Sequence, residues 1–208
     1  GEADGPPMLI GAGIADTSTG VHAFAALGYA LYRRDRTGEG SHLDIGMVDV
    51  MYHMQETAVS GPSLSGGETV AMRTGRHYAP ASPAGIFKAP QGWIVVFALE
   101  NQIMNLWAAL GRPELAEDPR FQNNRTRLEH RDALTDIIEK WMSSFERDTE
   151  IISVLEQHRV PCGPVVEPVK LADTHPHFLE RGTVREVSDP LAGSMLIPGF
   201  PLRFSDAP

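Results

Sequence analysis

The sequence predicts an α/β protein, and three observations carry that reading. A helix-spaced apolar run, a short alternating segment and a second helix-spaced run follow one another between residues 16 and 61. A hairpin pattern comes next, and three further helix-like stretches lead up to Pro161. The composition, 42% hydrophobic and 22% charged over 208 residues, is that of an ordinary globular chain and excludes intrinsic disorder as its main state.

Taken in order, residues 1–16 are small and turn-rich. Asp16, Thr17, Ser18 and Thr19 then offer four capping side chains ahead of Val21, Phe24, Leu27 and Leu31, which predicts a buried helix of 16 to 18 residues. Arg33, Arg34 and Arg36 suit the negative end of its dipole, and Gly38 and Gly40 stop it. Residues 41–45 alternate as a short strand does. Met47, Met51 and Met54 recur at helical spacing up to Gly61, which predicts one helix packing its methionines in a core or interface.

Residues 60–85 are rich in glycine and proline with little periodicity, a long loop of the kind that is either functional or mobile. Residues 84–88 and 93–98 form the hairpin, turned by Ala-Pro-Gln-Gly at 89–92. Helices are predicted over about 101–110, 124–143 and 148–158, with a break at 118–124. A second hairpin turns at 189–193. The loop-like ends predict a piece of a longer protein.

Charge and cysteine usage narrow the partners. Eighteen Lys and Arg against 27 Asp and Glu leave a net charge of −9, a poor match to nucleic acid. No apolar stretch reaches the ~18 to 20 residues of a membrane span, and no signal-peptide pattern opens the chain. The single cysteine, Cys162, excludes an intrachain disulfide and makes a reducing, cytoplasmic setting the default.

Two places carry candidate chemistry. Asp16 follows Gly11-Ala12-Gly13 and opens a helix. By general frequency it is an N-cap; alternatively it is a nucleophilic carboxylate beside free backbone amides that stabilise developing negative charge. The second place is the loop with Gly66, Gly67 and Gly75 and with Arg73, Arg76, His77 and Tyr78, which is either a linker or a lid that excludes water. Gly-x-Gly at 11–13 lacks the rest of a dinucleotide fingerprint. The eight histidines show no metal-ligand spacing, so no metal is assigned; His175 and His177 read as surface residues and Cys162 as a small buried one.

Ala15-Asp16-Thr17-Ser18-Thr19-Gly20, the helix ending in Tyr32-Arg33-Arg34-Asp35-Arg36-Thr37-Gly38, and Leu43-Asp44-Ile45-Gly46-Met47-Val48-Asp49-Val50 together resemble the central segment of the family III CoA-transferases. Arg73-Thr74-Gly75-Arg76, Pro83-Ala84-Gly85-Ile86-Phe87, Asp118-Pro119-Arg120-Phe121 and Val160-Pro161-Cys162-Gly163-Pro164 continue the likeness in the family's order, so it covers nearly the whole chain. The resemblance implies an interlocked homodimer with a Rossmann-like large domain and a smaller α+β domain. Residues 1–60 then belong to the large domain, 61–165 to the small one, and 166–208 return to the large one.

The same resemblance makes Asp16 the nucleophile that receives acyl and then CoA, and places Gly75, Arg76, His77 and Tyr78 in the loop that covers the intermediates. Where the formyl-CoA transferases run through glycines, this chain reads Gly75-Arg76-His77-Tyr78-Ala79. An acyl-CoA and a carboxylic acid are the implied substrates, with coenzyme A as substrate rather than bound cofactor. The upstream half that carries most CoA-binding residues of the family, and the family's last helices, lie outside these 208 residues. Two other functions stay open: an α-methylacyl-CoA racemase using the same aspartate as acid and base, and a non-catalytic acyl-CoA-binding member. Thr17-Ser18-Thr19-Gly20 after the aspartate resembles the transferases.

Overall fold

The computed structural model describes residues 1–68, 72–168 and 175–205, and it divides into two compact units, residues 1–81 and 82–208. The predicted loop over 60–85 falls partly outside the described residues, at 69–71.

The first unit is helical. α1 (Ile14–Thr37) is longer than its apolar pattern predicts, because the turn into the helix is made by Gly13 and not by Asp16. Asp16 lies in the first turn, where a carboxylate suits the positive end of the dipole, so its reading as an N-cap is corrected. At the other end Gly38 adopts φ 73 and its N–H returns to the Arg34 carbonyl, the stop that the sequence predicts. The expected burial of α1 is also corrected. Val21, Phe24, Leu27 and Leu31 are exposed and no α1 residue is buried, because among the described residues the short α2 is the main element packed against it.

Residues 41–45 form no strand, since a strand needs a ladder partner and no described segment pairs with them. The helix predicted from Met47 breaks into α2 (Met47–His53) and α3 (Glu56–Leu64), with Met54 and Gln55 between. The methionine face is therefore interrupted: Met51 is half-buried, while Met47 and Met54 are exposed. Asp49 folds its carboxylate over the α-carbon of Gly46 at the start of α2, a place that a side chain at 46 would fill.

The second unit carries the core. β1 (Ala84–Lys88) and β2 (Trp93–Phe97) pair antiparallel from Ala84 opposite Phe97 to Lys88 opposite Trp93. The predicted turn closes between them, with the Ala89 N–H on the Gly92 carbonyl at 3.0 Å. β3 (Cys162–Pro164) adds to the far side of β2, Ile94 opposite Pro164, so the sheet runs β1-β2-β3. Pro164 sits on an edge strand, where its missing N–H costs no ladder bond.

α4 (Ile103–Ala109), a 3-10 turn (Pro113–Ala116), α5 (Asn124–Glu129), α6 (Arg131–Met142) and α7 (Asp148–Gln157) follow β2. The single helix predicted over 124–143 is two, hinged at His130. Asn123 starts α5 with a capping box: its side chain accepts from the Thr126 N–H at 3.1 Å, and the Thr126 hydroxyl accepts from the Asn123 N–H. Ile94, Val96, Phe87, Leu106, Trp107, Phe121, Leu134, Ile138, Met142, Ile151 and Leu155 close the core. Fully burying each such side chain contributes about 1.5 to 3 kcal/mol.

Three polar devices tie the helices to the chain around the hairpin. Glu139 of α6 accepts the Lys88 N–H of β1 at 2.8 Å, and Asp148, first in α7, exchanges bonds with Gln91 in the β-turn. Arg127, 1% exposed, is the third. Its Nε donates to the Ser82 carbonyl at 2.8 Å, Nη1 to the Phe121 carbonyl at 2.9 Å and Nη2 to the Glu100 carboxylate.

Beyond the core, α8 (Pro176–Glu180) precedes the second predicted hairpin, β4 (Val184–Asp189) with β5 (Gly193–Pro198). The Asp189 carboxylate accepts the Leu191 and Ala192 amides, both at 2.8 Å, which shapes its turn. His175 and His177 are exposed, as the sequence predicts.

Candidate functional site

Asp16 is exposed in the first turn of α1. Among the described residues its carboxylate accepts no hydrogen bond and has no ion-pair partner, so its oxygens are uncommitted; one lies 3.4 Å from where a side chain at Gly13 would stand. A Cβ at 13 would meet that oxygen only in ordinary van der Waals contact. The amides of Ala15 and Asp16 have no acceptor within the helix, because the first turn of any α-helix leaves its N–H groups unspent. Ile14 differs, its N–H being turned back to the Ala12 carbonyl at 2.8 Å.

Next along the same helix is a groove of about 300 Å³ lined by Thr17, Ser18, Val21, His22 and Met54. His22 is one of eight histidines that the sequence gives no reason to single out. In the structure its Nδ1 lies 2.8 Å from the Ser18 carbonyl, and the ring stands edge-on to His53 of α2 at 5.9 Å. The i to i+4 spacing of Ser18 and His22 is the only sequence signal for it.

Gly75, Arg76 and His77 belong to one tight turn. The His77 N–H donates to the Thr74 carbonyl at 3.1 Å, and the Thr74 hydroxyl donates to the His77 carbonyl at 2.7 Å. Gly75 takes φ 61 while Arg76 does not turn positive, the φ pattern of a type II′ turn. Gly75, Arg76 and His77 are half-buried, and Tyr78 just after them is exposed. Among the described residues no hydrogen bond or ion pair joins Asp16 to this turn.

Arg73, read from the sequence as a lid residue, is spent on backbone carbonyls: Nη1 donates to Gly5 and Nη2 to Ala3, the latter at 2.8 Å. Cys162 is half-buried in β3, and burial, with the Glu156 charge adding, holds its thiol above the usual range, which fits an inert side chain. Among the described residues no group of three or more histidine, cysteine, aspartate or glutamate side chains is placed to hold a metal ion, and no helix is long and apolar enough to cross a membrane.

The site so far is an uncommitted carboxylate in the first turn of a helix, on a mixed α/β framework. Comparison with known proteins identifies the family. The model of CoA-transferase family III matches residues 1–208, and this chain belongs to that family. A formyl-CoA:oxalate CoA-transferase of Streptomyces coelicolor is 30% identical over 99% of this chain and 53% of its own length. A succinyl-CoA–D-citramalate CoA-transferase of Chloroflexus aurantiacus is 32% identical over 99% of this chain and 50% of its own.

The fold agrees. A CaiB/BaiF family protein from Brucella suis superposes with a TM-score of 0.73 at 30% identity, over all of this chain and 53% of that one. A Mycobacterium tuberculosis structure gives 0.78 at 25% identity, over 97% of this chain and 52% of that one. The chain spans about half the length of the curated relatives it matches.

Proposed function

We propose that the protein transfers CoA from an acyl-CoA thioester to a carboxylic acid, with Asp16 as nucleophile. One observation carries the reading: the aspartate that the family resemblance makes catalytic is the exposed, unpaired carboxylate of the first turn of α1. An oxygen of Asp16 attacks the thioester carbonyl, the C–S bond breaks, and a mixed anhydride forms as CoA thiolate leaves. The thiolate attacks the Asp16 carbonyl carbon, releasing the first carboxylate and leaving an aspartyl-CoA thioester. The acceptor carboxylate then attacks that thioester, and the returning thiolate takes the acceptor acyl group and frees Asp16.

A carboxylate suits this sequence because anhydride and thioester lie close in energy, whereas a seryl ester would not pass its acyl group on. The unspent amides of the α1 start supply one source of stabilisation for each oxyanion. The turn of Gly75, Arg76, His77 and Tyr78 is the cover that keeps water from the intermediates. We further read residues 1–60 as part of a Rossmann-like large domain, 61–165 as the small domain and 166–208 as the return, in an interlocked homodimer working in the cytoplasm.

The test is to incubate the full-length protein with acyl-CoAs in deuterated water, quench with hydroxylamine, and weigh the Asp16 peptide and the substrate. A hydroxamate on Asp16 supports the transferase. Deuterium at the substrate α-carbon with Asp16 unmarked replaces it with a racemase. Asp16→Asn should cut turnover by about a thousandfold or more with the fold retained; full activity in that variant overturns the nucleophile.

A further inference from the structure

We infer that Arg73 is a positioning residue whose guanidinium latches the turn of Thr74, Gly75, Arg76 and His77 onto residues 1–5. The proposal rests on the reading of that turn as the cover of the Asp16 intermediates.

The contacts come from three sides. The Gly5 N–H donates to the Glu2 carbonyl at 3.2 Å and closes a turn. The Ala3 and Gly5 carbonyls of that turn both receive the Arg73 fork. Two residues on, the Gly75 N–H donates to the Gly1 carbonyl at 3.0 Å. The Glu2 carboxylate lies over the Gly75 α-carbon, in the space that a Cβ would need. Gly75 is therefore required by φ 61, and a Cβ there would also displace the flexible carboxylate end of Glu2.

Arginine fits this task and lysine does not. Two carbonyls set on one planar fork are met at once, while an ammonium is a point donor without that geometry. The arginine side chain is exposed, so water competes for both bonds and the latch holds only moderately. A cover that must admit acyl-CoA and release product in every turnover needs a fastening of that strength.

A loosened cover has a chemical signature. Water attacks the aspartyl-CoA carbonyl carbon, the C–S bond breaks, and Asp16 and free CoA thiol are regenerated. One proton of the water ends on sulfur and the other in solvent, and the acceptor acid is left unused.

The experiment uses the full-length protein, wild type, Arg73→Ala and Arg73→Lys. Hydrogen exchange is read at peptides 1–5 and 72–80, with the 84–97 hairpin as internal control. The ratio of CoA transfer to thioester hydrolysis is read with the same acyl-CoA panel. In Arg73→Ala, exchange of both latch peptides should rise about tenfold with the hairpin unchanged. Hydrolysis should gain severalfold over transfer while the Asp16 hydroxamate still forms, and Arg73→Lys should follow Arg73→Ala.

Unchanged exchange, or an unchanged ratio with the hydroxamate present, overturns the latch. Absence of the hydroxamate in the wild type is a separate failure, that of the transferase reading, and it removes the covering role. If Arg73→Ala does not fold, Arg73→Gln, which keeps a polar stem and loses the two-pronged fork, takes its place; wild-type exchange in that variant overturns the latch as well.

Discussion

Replacing Arg127 by methionine keeps the buried stem and removes the three donors. Two of its acceptors, the Ser82 and Phe121 carbonyls, belong to residues 3% and 1% exposed, so water does not readily take the guanidinium's place. Each buried acceptor left unpaired costs about 1 to 3 kcal/mol. The Glu100 arm reaches a carboxylate whose side chain is 63% exposed, and contributes about 0 to 1 kcal/mol. The total expected is about 3 to 5 kcal/mol, in line with breaking one side of a buried charged network.

Such a loss takes about a fifth or more of the ~5 to 15 kcal/mol that holds a typical domain together. Native-state hydrogen exchange at Ile94 and Val96 in β2 measures it locally, and the protection there should fall by about a hundredfold to several thousandfold. Arg127→Lys retains charge but serves the three acceptors poorly, and should lose most of the same protection. Protection in Arg127→Met within fivefold of the wild type would refute the assignment of Arg127 as the clamp on Ser82.

Three further outcomes are expected. The Arg120 guanidinium and then the Arg120 N–H lower the Asp118 carboxyl to about 2, so an NMR titration should place it there. Because its folded value is depressed, its contribution to stability is fully present above the ordinary range near 4 and is lost only as pH falls toward 2; an Asp118→Asn variant should lose its stability difference from wild type across that window. Cys162, its thiol raised chiefly by burial, should react with iodoacetamide at pH 8 at least tenfold more slowly than a free cysteine. Gly111→Ala meets no atom within 4 Å and should cost only the strain of φ 66, about 1 to 2 kcal/mol by thermal unfolding.

Where the chain punctuates itself, the sequence was a good guide. Gly38 ends α1 and Gly111 lies just beyond α4, both in the left-handed region. The Ala-Pro-Gln-Gly and Asp-Pro-Leu-Ala-Gly turns lie where their hairpins turn, because turn residues act through their own backbones. Tertiary partners were not legible in the same way. β3 is three residues, Cys-Gly-Pro, with no alternation to reveal it; it exists because β2 offers it an edge. Residues 41–45 do alternate, but no described segment pairs with them.

Charged residues divide along the same line. Arg127 looks in sequence like any solvated helix arginine, and its burial follows from Ser82, 45 positions earlier. Arg73 reads as a free lid cation until the Ala3 and Gly5 carbonyls are placed against it. Asp16 stands out in the sequence by its glycines and its helix start, and only the alternative reading of it as a cap fails, because Gly13 turns the chain sooner.

The three-stranded sheet has a consequence for modularity. The chain comes in at Ala84, opposite Phe97, and goes out at Pro164, opposite Ile94, on the two flanks of one central strand. Strand spacing and rise put that entrance and exit about 14 Å apart. Ends so close can be joined by chain of very different length, so the helices between them can be lengthened or exchanged with little strain on the flanking residues. Shuffling residues 82–165 among CoA-transferases is thus a practical way to vary one part of the molecule while the aspartate-bearing helix stays as it is.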